Sequence, residues 1–144
     1  MREGFNKVRG LLKACMNKWQ ESYEPGWLLT ADETMLAWEG MGDAHLTFMK
    51  RKPTPLGYCM RTTTCSLSGI LLVCEFCEGK EVEQGKEFND EWGAHTGATM
   101  RLVKNWFYTG RVVIADSWFG SFRCAFGLLD KGLFSVMNVK RNTG

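Results

Sequence analysis

Two short apolar runs, "LLTAD" at residues 28–32 and "VVIAD" at residues 112–116, each lead straight into a carboxylate. Runs of this length bounded by turn formers read as short strands. The second lies between Gly110 and Gly120 and reads as a strand buried on both faces. The pattern predicts strands from Trp27 to about Ala31 and from Val112 to Ala115, with Asp32 and Asp116 at their ends. An acid at the end of a buried strand is costly unless a partner meets it. If the two strands are parallel neighbours, both carboxylates emerge at one sheet edge. Carboxylate oxygens are hard ligands suited to Mg²⁺ or Mn²⁺. Two such ions about 3.5–4 Å apart can activate an attacking oxygen and stabilise a leaving one, as phosphodiester cleavage and strand transfer require. Asp after a strand also forms turns and caps helices, and a helix is predicted just after Asp116. Spacing alone leaves both readings open.

The rest of the chain alternates around these strands. Phe5, Val8, Leu12, Cys15 and Trp19 recur at helical spacing over residues 2–23, and Pro25 with Gly26 ends that helix. Residues 33–56 read as irregular, with at most a short edge strand. "GYCMRTTTCSLSGILLVCEFCEG" predicts a hairpin turning near Leu67–Gly69. The acidic run 78–94 reads as a solvated loop. Ala98, Leu102 and Trp106 predict a helix over 96–108, and Phe119, Phe122, Phe126 and Leu129 a second one, before a last strand, "LFSVMNV". This order predicts an α/β mixed sheet flanked by helices, with a crossover from the hairpin into residues 111–116.

Composition narrows the function classes. A 144-residue chain with 44% hydrophobic and 24% charged residues suits one globular domain. A net charge of +2 gives no global case for a nucleic-acid or membrane partner, though a local basic site remains open. The N-terminus mixes charge with apolar residues, unlike a signal peptide, and "GILLVC" is far too short to span a bilayer. Six cysteines in such a chain are expected to be reduced thiols. Cys74 and Cys77 form a C-x-x-C, but on a strand they point to opposite faces, and His45 and His95 stand alone, so buried thiols are a better reading than structural zinc.

"FNKVRGLLKACMNKWQESYEPGWLLTADETMLAWEG" resembles the entry to the catalytic domain of piggyBac-type transposases, through Tyr23, Pro25, Gly26, Asp32, Glu33, Met35, Trp38 and Gly40. "KRKPTPLGY", with Lys52, Pro53 and Gly57, and "VVIADSWFGSFRCAFGLLDKGLFSVMNVKRN" are similar to two further signatures of that family. The resemblance covers nearly the whole chain. It implies a ribonuclease-H-like fold, cut short at the C-terminus, with residues 1–26 a helix leading into the core and 27–144 a partial catalytic domain. It further implies a three-Asp, two-metal site for DNA transposition, with Asp32 and Asp116 as the first two catalytic residues and Mg²⁺ or Mn²⁺ ligands. Double-stranded DNA at transposon ends, a nuclear location, no membrane and a homodimer complete the implied picture.

This chain also departs from the family pattern. The third catalytic Asp would lie well beyond the second signature, and the sequence ends at Gly144. Met41 stands where Arg is usual, Pro55 and Cys59 where Lys is, and Ser117 where Asn is common. Three functions follow for comparison. The first is a transposase catalytic fragment, not competent alone. The second is a transposon-derived module that binds DNA or protein through Lys50, Arg51, Lys52, Arg111, Arg123, Lys140 and Arg141. The third is an inactive relic.

Overall fold

The computed structural model describes residues 5–41 and 46–140. His45 and Arg141, both singled out above, lie outside the described residues.

Helix α1 (Asn6–Ser22) ends where Tyr23 turns extended, two residues before Pro25. Phe5 at its start stacks on Phe76 with ring centroids 4.1 Å apart, and the backbone N–H of Cys74 donates to Met16 Sδ at 3.2 Å. Those contacts lay α1 along the hairpin strand that carries Cys74 and Phe76.

Strand β1 (Leu28–Ala37) pairs antiparallel with β3 (Leu56–Cys65), from Leu29↔Cys65 to Ala37↔Gly57. Its other edge pairs parallel with β5 (Val112–Ala115), from Leu28↔Val112 to Ala31↔Ala115. The far edge of β3 takes both the short β2 (Thr47–Phe48) and β4 (Leu71–Phe76), while β6 (Phe134–Met137) runs parallel beside β5. The order is therefore β2-β3-β1-β5-β6, with β4 alongside β3, and the chain crosses β3 and β1 to reach β5 from β4. Helix α4 (Ala94–Val103) makes that crossover, buries Met100, Leu102 and Val103, and accepts a hydrogen bond at the Leu102 carbonyl from Thr63 Oγ1 at 3.0 Å. Helix α5 (Phe122–Asp130) links β5 to β6. Leu29, Ala31, Val113, Ala115, Met100 and Leu128 belong to one buried cluster between sheet and helices.

Four local expectations change. Strand β1 does not stop at Ala31: β3 is long enough to pair with it as far as Ala37, so Asp32 sits mid-strand. Strand β5 is not buried on both faces: Val113 and Ala115 are buried, while Val112 and Ile114 are only half covered. Residues 78–94 are not simply a solvated loop; they hold two short helices, α2 (Lys80–Gln84) and α3 (Asn89–Trp92), and Glu78, Glu83 and Lys86 turn inward while Lys80, Glu81, Glu87, Asp90 and Glu91 stay exposed. The buried face of α5 is Cys124, Gly127 and Leu128, whereas Phe122, Phe126 and Leu129 are exposed.

Candidate functional site

Alternation along β1 decides which acids meet. Leu29, Ala31 and Glu33 are buried, which turns Asp32 to the opposite, exposed face. The register pairs Ala31 with Ala115, so Asp32 and Asp116 each follow one member of the last bridged pair on neighbouring parallel strands. Such strands lie about 4.8 Å apart. Both carboxylates are exposed. Each has one oxygen engaged: Asp32 Oδ1 accepts the Glu33 N–H at 2.7 Å, and Asp116 Oδ1 accepts the Trp118 N–H at 2.8 Å. The second contact is an Asx turn, so Asp116 does form a turn. It does not cap α5, because Ser121 does so by accepting the Cys124 N–H at 3.1 Å.

Glu33, on the other face of β1, organises the basic loop. Arg51 Nη2 lies 3.2 Å from Glu33 Oε2, and Lys52 Nζ donates to the Glu33 carbonyl at 2.6 Å. Burial raises the Glu33 carboxyl above its ordinary value; Arg51 and Lys52 oppose the rise and the charge of Asp116 adds to it. Glu33 thus feels Asp116 and fastens two cations beside the strand that carries Asp32. Lys50 in the same loop is exposed.

The turn after Asp116 borders a cleft of about 680 Å³ lined by His95, Ser117, Trp118, Ser121, Phe122 and Lys140. Trp118 is held from several sides. Its ring stacks with His95 at 4.4 Å between centroids, its carbonyl lies 3.2 Å from His95 Nδ1, and Arg61 sits 5.0 Å from its ring centre. Arg61 in turn contacts Glu75 at 3.0 Å and Glu83 at 2.8 Å, and Arg101 grips both oxygens of Glu75 at 2.6 and 2.9 Å.

Among the basic residues expected to face a nucleic acid, the structure gathers Lys50, Arg51 and Lys52 in one loop and leaves Lys140 in the cleft. Arg111 and Arg123 are turned to their own chain: Arg111 bonds Glu24 and the Gly26 carbonyl, and Arg123 bonds the Glu91 carbonyl. The roles of Glu33, Arg61 and Trp118 are not evident from composition or spacing. The alternation of β1 carried past Asp32 could have placed Glu33 inside; nothing local marks the partners of Arg61. Cys74 and Cys77, adjacent in the C-x-x-C, have different neighbours, Met16 and Cys59. Among the described residues no three acids, histidines or cysteines gather as a metal-binding group.

Comparison with known proteins gives two findings. The sequence model of a family described as Transposase IS4 matches residues 2–144. A piggyBac transposase, solved by cryo-electron microscopy in a synaptic complex with hairpin DNA, matches in fold with a TM-score of 0.84 at 22% identity. That match covers 96% of this chain, which spans 28% of the transposase's length. The shared architecture is a ribonuclease-H-like mixed sheet flanked by helices. No curated protein matches the sequence.

Proposed function

Because the chain belongs to the Transposase IS4 family, we propose that it carries part of a transposase catalytic domain in which Asp32 and Asp116 hold a divalent metal against DNA phosphates. The observation that carries this reading is the parallel register of β1 and β5, which brings the two aspartates to adjacent positions. One oxygen of each carboxylate is tied to a backbone N–H, which leaves the other for an ion. Mg²⁺ is commonly held by one or two carboxylates with several waters retained, so the donors are right in kind. They are short in number for two ions. When bound, a metal there would supply Lewis-acid polarisation of a phosphate oxygen. Residues 27–144 hold this core and residues 1–26 brace it through the contacts of α1 with β4. The exposed side chains Lys50, Arg51 and Lys140 would contact the DNA backbone, joined by Lys52; Arg141 lies outside the described residues and enters by resemblance alone. A nuclear location and pairing of two copies follow from kinship; no helix among the described residues is long and apolar enough to cross a membrane.

The test is Mn²⁺ titration followed by electron paramagnetic resonance. Wild-type chain is expected to bind the ion, and Asp32→Asn or Asp116→Asn to weaken it at least tenfold with an unchanged melting temperature. Equal binding by all three proteins overturns the site. Residues 1–144 are expected not to nick duplex DNA; Mn²⁺-dependent nicking lost in Asp32→Ala would contradict that. For the basic surface, the logarithm of DNA affinity should fall linearly with that of salt, and Lys50→Ala should reduce the slope by about one.

A further inference from the structure

Two of the six cysteines touch. Cys59 lies on β3 and Cys77 just beyond β4, where the Cys77 N–H donates to the Cys59 carbonyl at 2.9 Å. Their Sγ atoms are 2.9 Å apart, with the Cys77 thiol donating to Cys59, and both are free thiols. Cys59 is buried and Cys77 is partly open to solvent. Arg61 and Lys52 bear on Cys59 from the cationic side, Glu33 and Glu83 on the pair from the anionic side. The hydrogen bond from Cys77 holds the Cys59 thiol below its ordinary value, and the same contact, together with burial, raises that of Cys77.

We propose that Cys59 and Cys77 form a reversible two-electron redox pair that closes to a disulfide under a hydroperoxide. Cys77, the sulfur solvent reaches, attacks a peroxide oxygen, and its thiol proton passes to the departing hydroxide. The O–O bond breaks, leaving a Cys77 sulfenic acid and, from hydrogen peroxide, a water. Cys59 then attacks the Cys77 sulfur, forming the S–S bond and releasing a second water. Two thiols are oxidised by two electrons and one peroxide is reduced. A dithiol reverses the closure by exchange. The bond would tie β3 to the segment that leads into α2, two residues along β3 from Arg61.

The arrangement of the other cysteines makes the pair testable by order of reaction. Cys65 is also held low: against its burial, hydrogen bonds from Ser68 and Tyr23 bring it down to about 6. It is fully buried, however. The experiment exposes the full chain to a small excess of hydrogen peroxide, quenches with iodoacetamide and maps peptides by mass spectrometry. The expected result is a linked Cys59–Cys77 peptide, two hydrogens lighter, appearing before any other cysteine changes and removed by dithiothreitol. Oxidation of Cys65 or another cysteine first, or Cys77 passing to sulfinic acid with Cys59 still alkylated, overturns the proposal. In Cys77→Ala, Cys59 should resist the same exposure; equal oxidation of Cys59 there also overturns it.

Discussion

Glu33 concentrates at one residue several demands that pull against each other. Its carboxylate is buried, yet it must stay charged to hold Arg51, which is itself largely exposed. A pair of that kind contributes little net stability, because burial of the acid offsets the attraction. The raised carboxyl sets the sign of its pH dependence. A group whose value rises on folding contributes stability that is full below the unfolded value, near 4.5, and lost as pH climbs through the folded one. Glu33→Gln removes the titration while keeping the shape. Relative to wild type, this variant is therefore expected to gain stability between pH 4 and pH 7. Thermal unfolding at the two pH values checks this, and a wild type that gains more than the variant over that interval contradicts it. For the proposed DNA contact the expected direction is the opposite, a weaker affinity in Glu33→Gln, since the neutral side chain no longer pairs with Arg51.

Helix α5 shows what a sequence pattern reveals about an element and what it hides. Its existence is legible from the recurrence of Phe119, Phe122, Phe126 and Leu129, but its orientation is not. The helix starts only after the Ser121 cap, and Gly127 sets its contact face. A side chain at Gly127 would run into Met100 Cε and the Trp92 ring, so the glycine lets α5 lie close against α3 and α4. Close approach through a missing side chain leaves no apolar signature, and the aromatic stripe was the more visible alternative. A paired measurement separates the faces. Leu128→Ala is expected to cost about 2–5 kcal/mol in chemical denaturation. Phe126→Ser, at an exposed position, should stay within about 0.5 kcal/mol. A larger loss at Phe126 than at Leu128 would refute the orientation seen here.

Across the whole molecule, the acidic segment couples elements that sequence reading kept apart. Glu75 on β4, Glu83 on α2, Arg61 on β3 and Arg101 on α4 meet in one largely buried network with Lys86. Counting charges over residues 78–94 suggests a solvated loop, because the compensating Arg61 and Arg101 belong to other segments. The strands that carry Asp32 and lead into Asp116 were legible because each rests on an apolar run that stands out locally, whereas their parallel pairing was only a condition and the strand order was not legible; the network rests on pairings between distant polar residues. Burial works against ionisation of Glu75, yet the Arg101 hydrogen bonds with Lys86 hold its carboxyl below the usual range, and Glu78 and Glu83 are held low in the same way by their cationic partners. Their stabilisation is present above the unfolded value, near 4.5, and is lost as pH falls through the folded ones. Glu75→Ala is expected to cost about 3 kcal/mol at pH 7, because it removes the acid that Arg101 grips and leaves the buried Arg61 with Glu83 alone. The deficit should shrink below pH 4, and a constant deficit in thermal scans across that range would show that the charges do not carry the effect.

The crossover that sets β5 beside β1 has a consequence for the order in which the chain folds. Strands β3 and β4 join across residues 66–70 only, whereas Asp32 and Asp116 are 84 positions apart in the chain. Closing the longer loop costs roughly 2–3 kcal/mol more in chain entropy. The hairpin therefore has the lower barrier, and the β1–β5 contact awaits the assembly of most other elements. Until that contact forms, Asp32 and Asp116 are two separate carboxylates on a fluctuating chain. On the proposed site, ion capture by the pair would thus be a readout of completed topology, and a refolding trace that follows bound Mn²⁺ should lag one that follows helix formation.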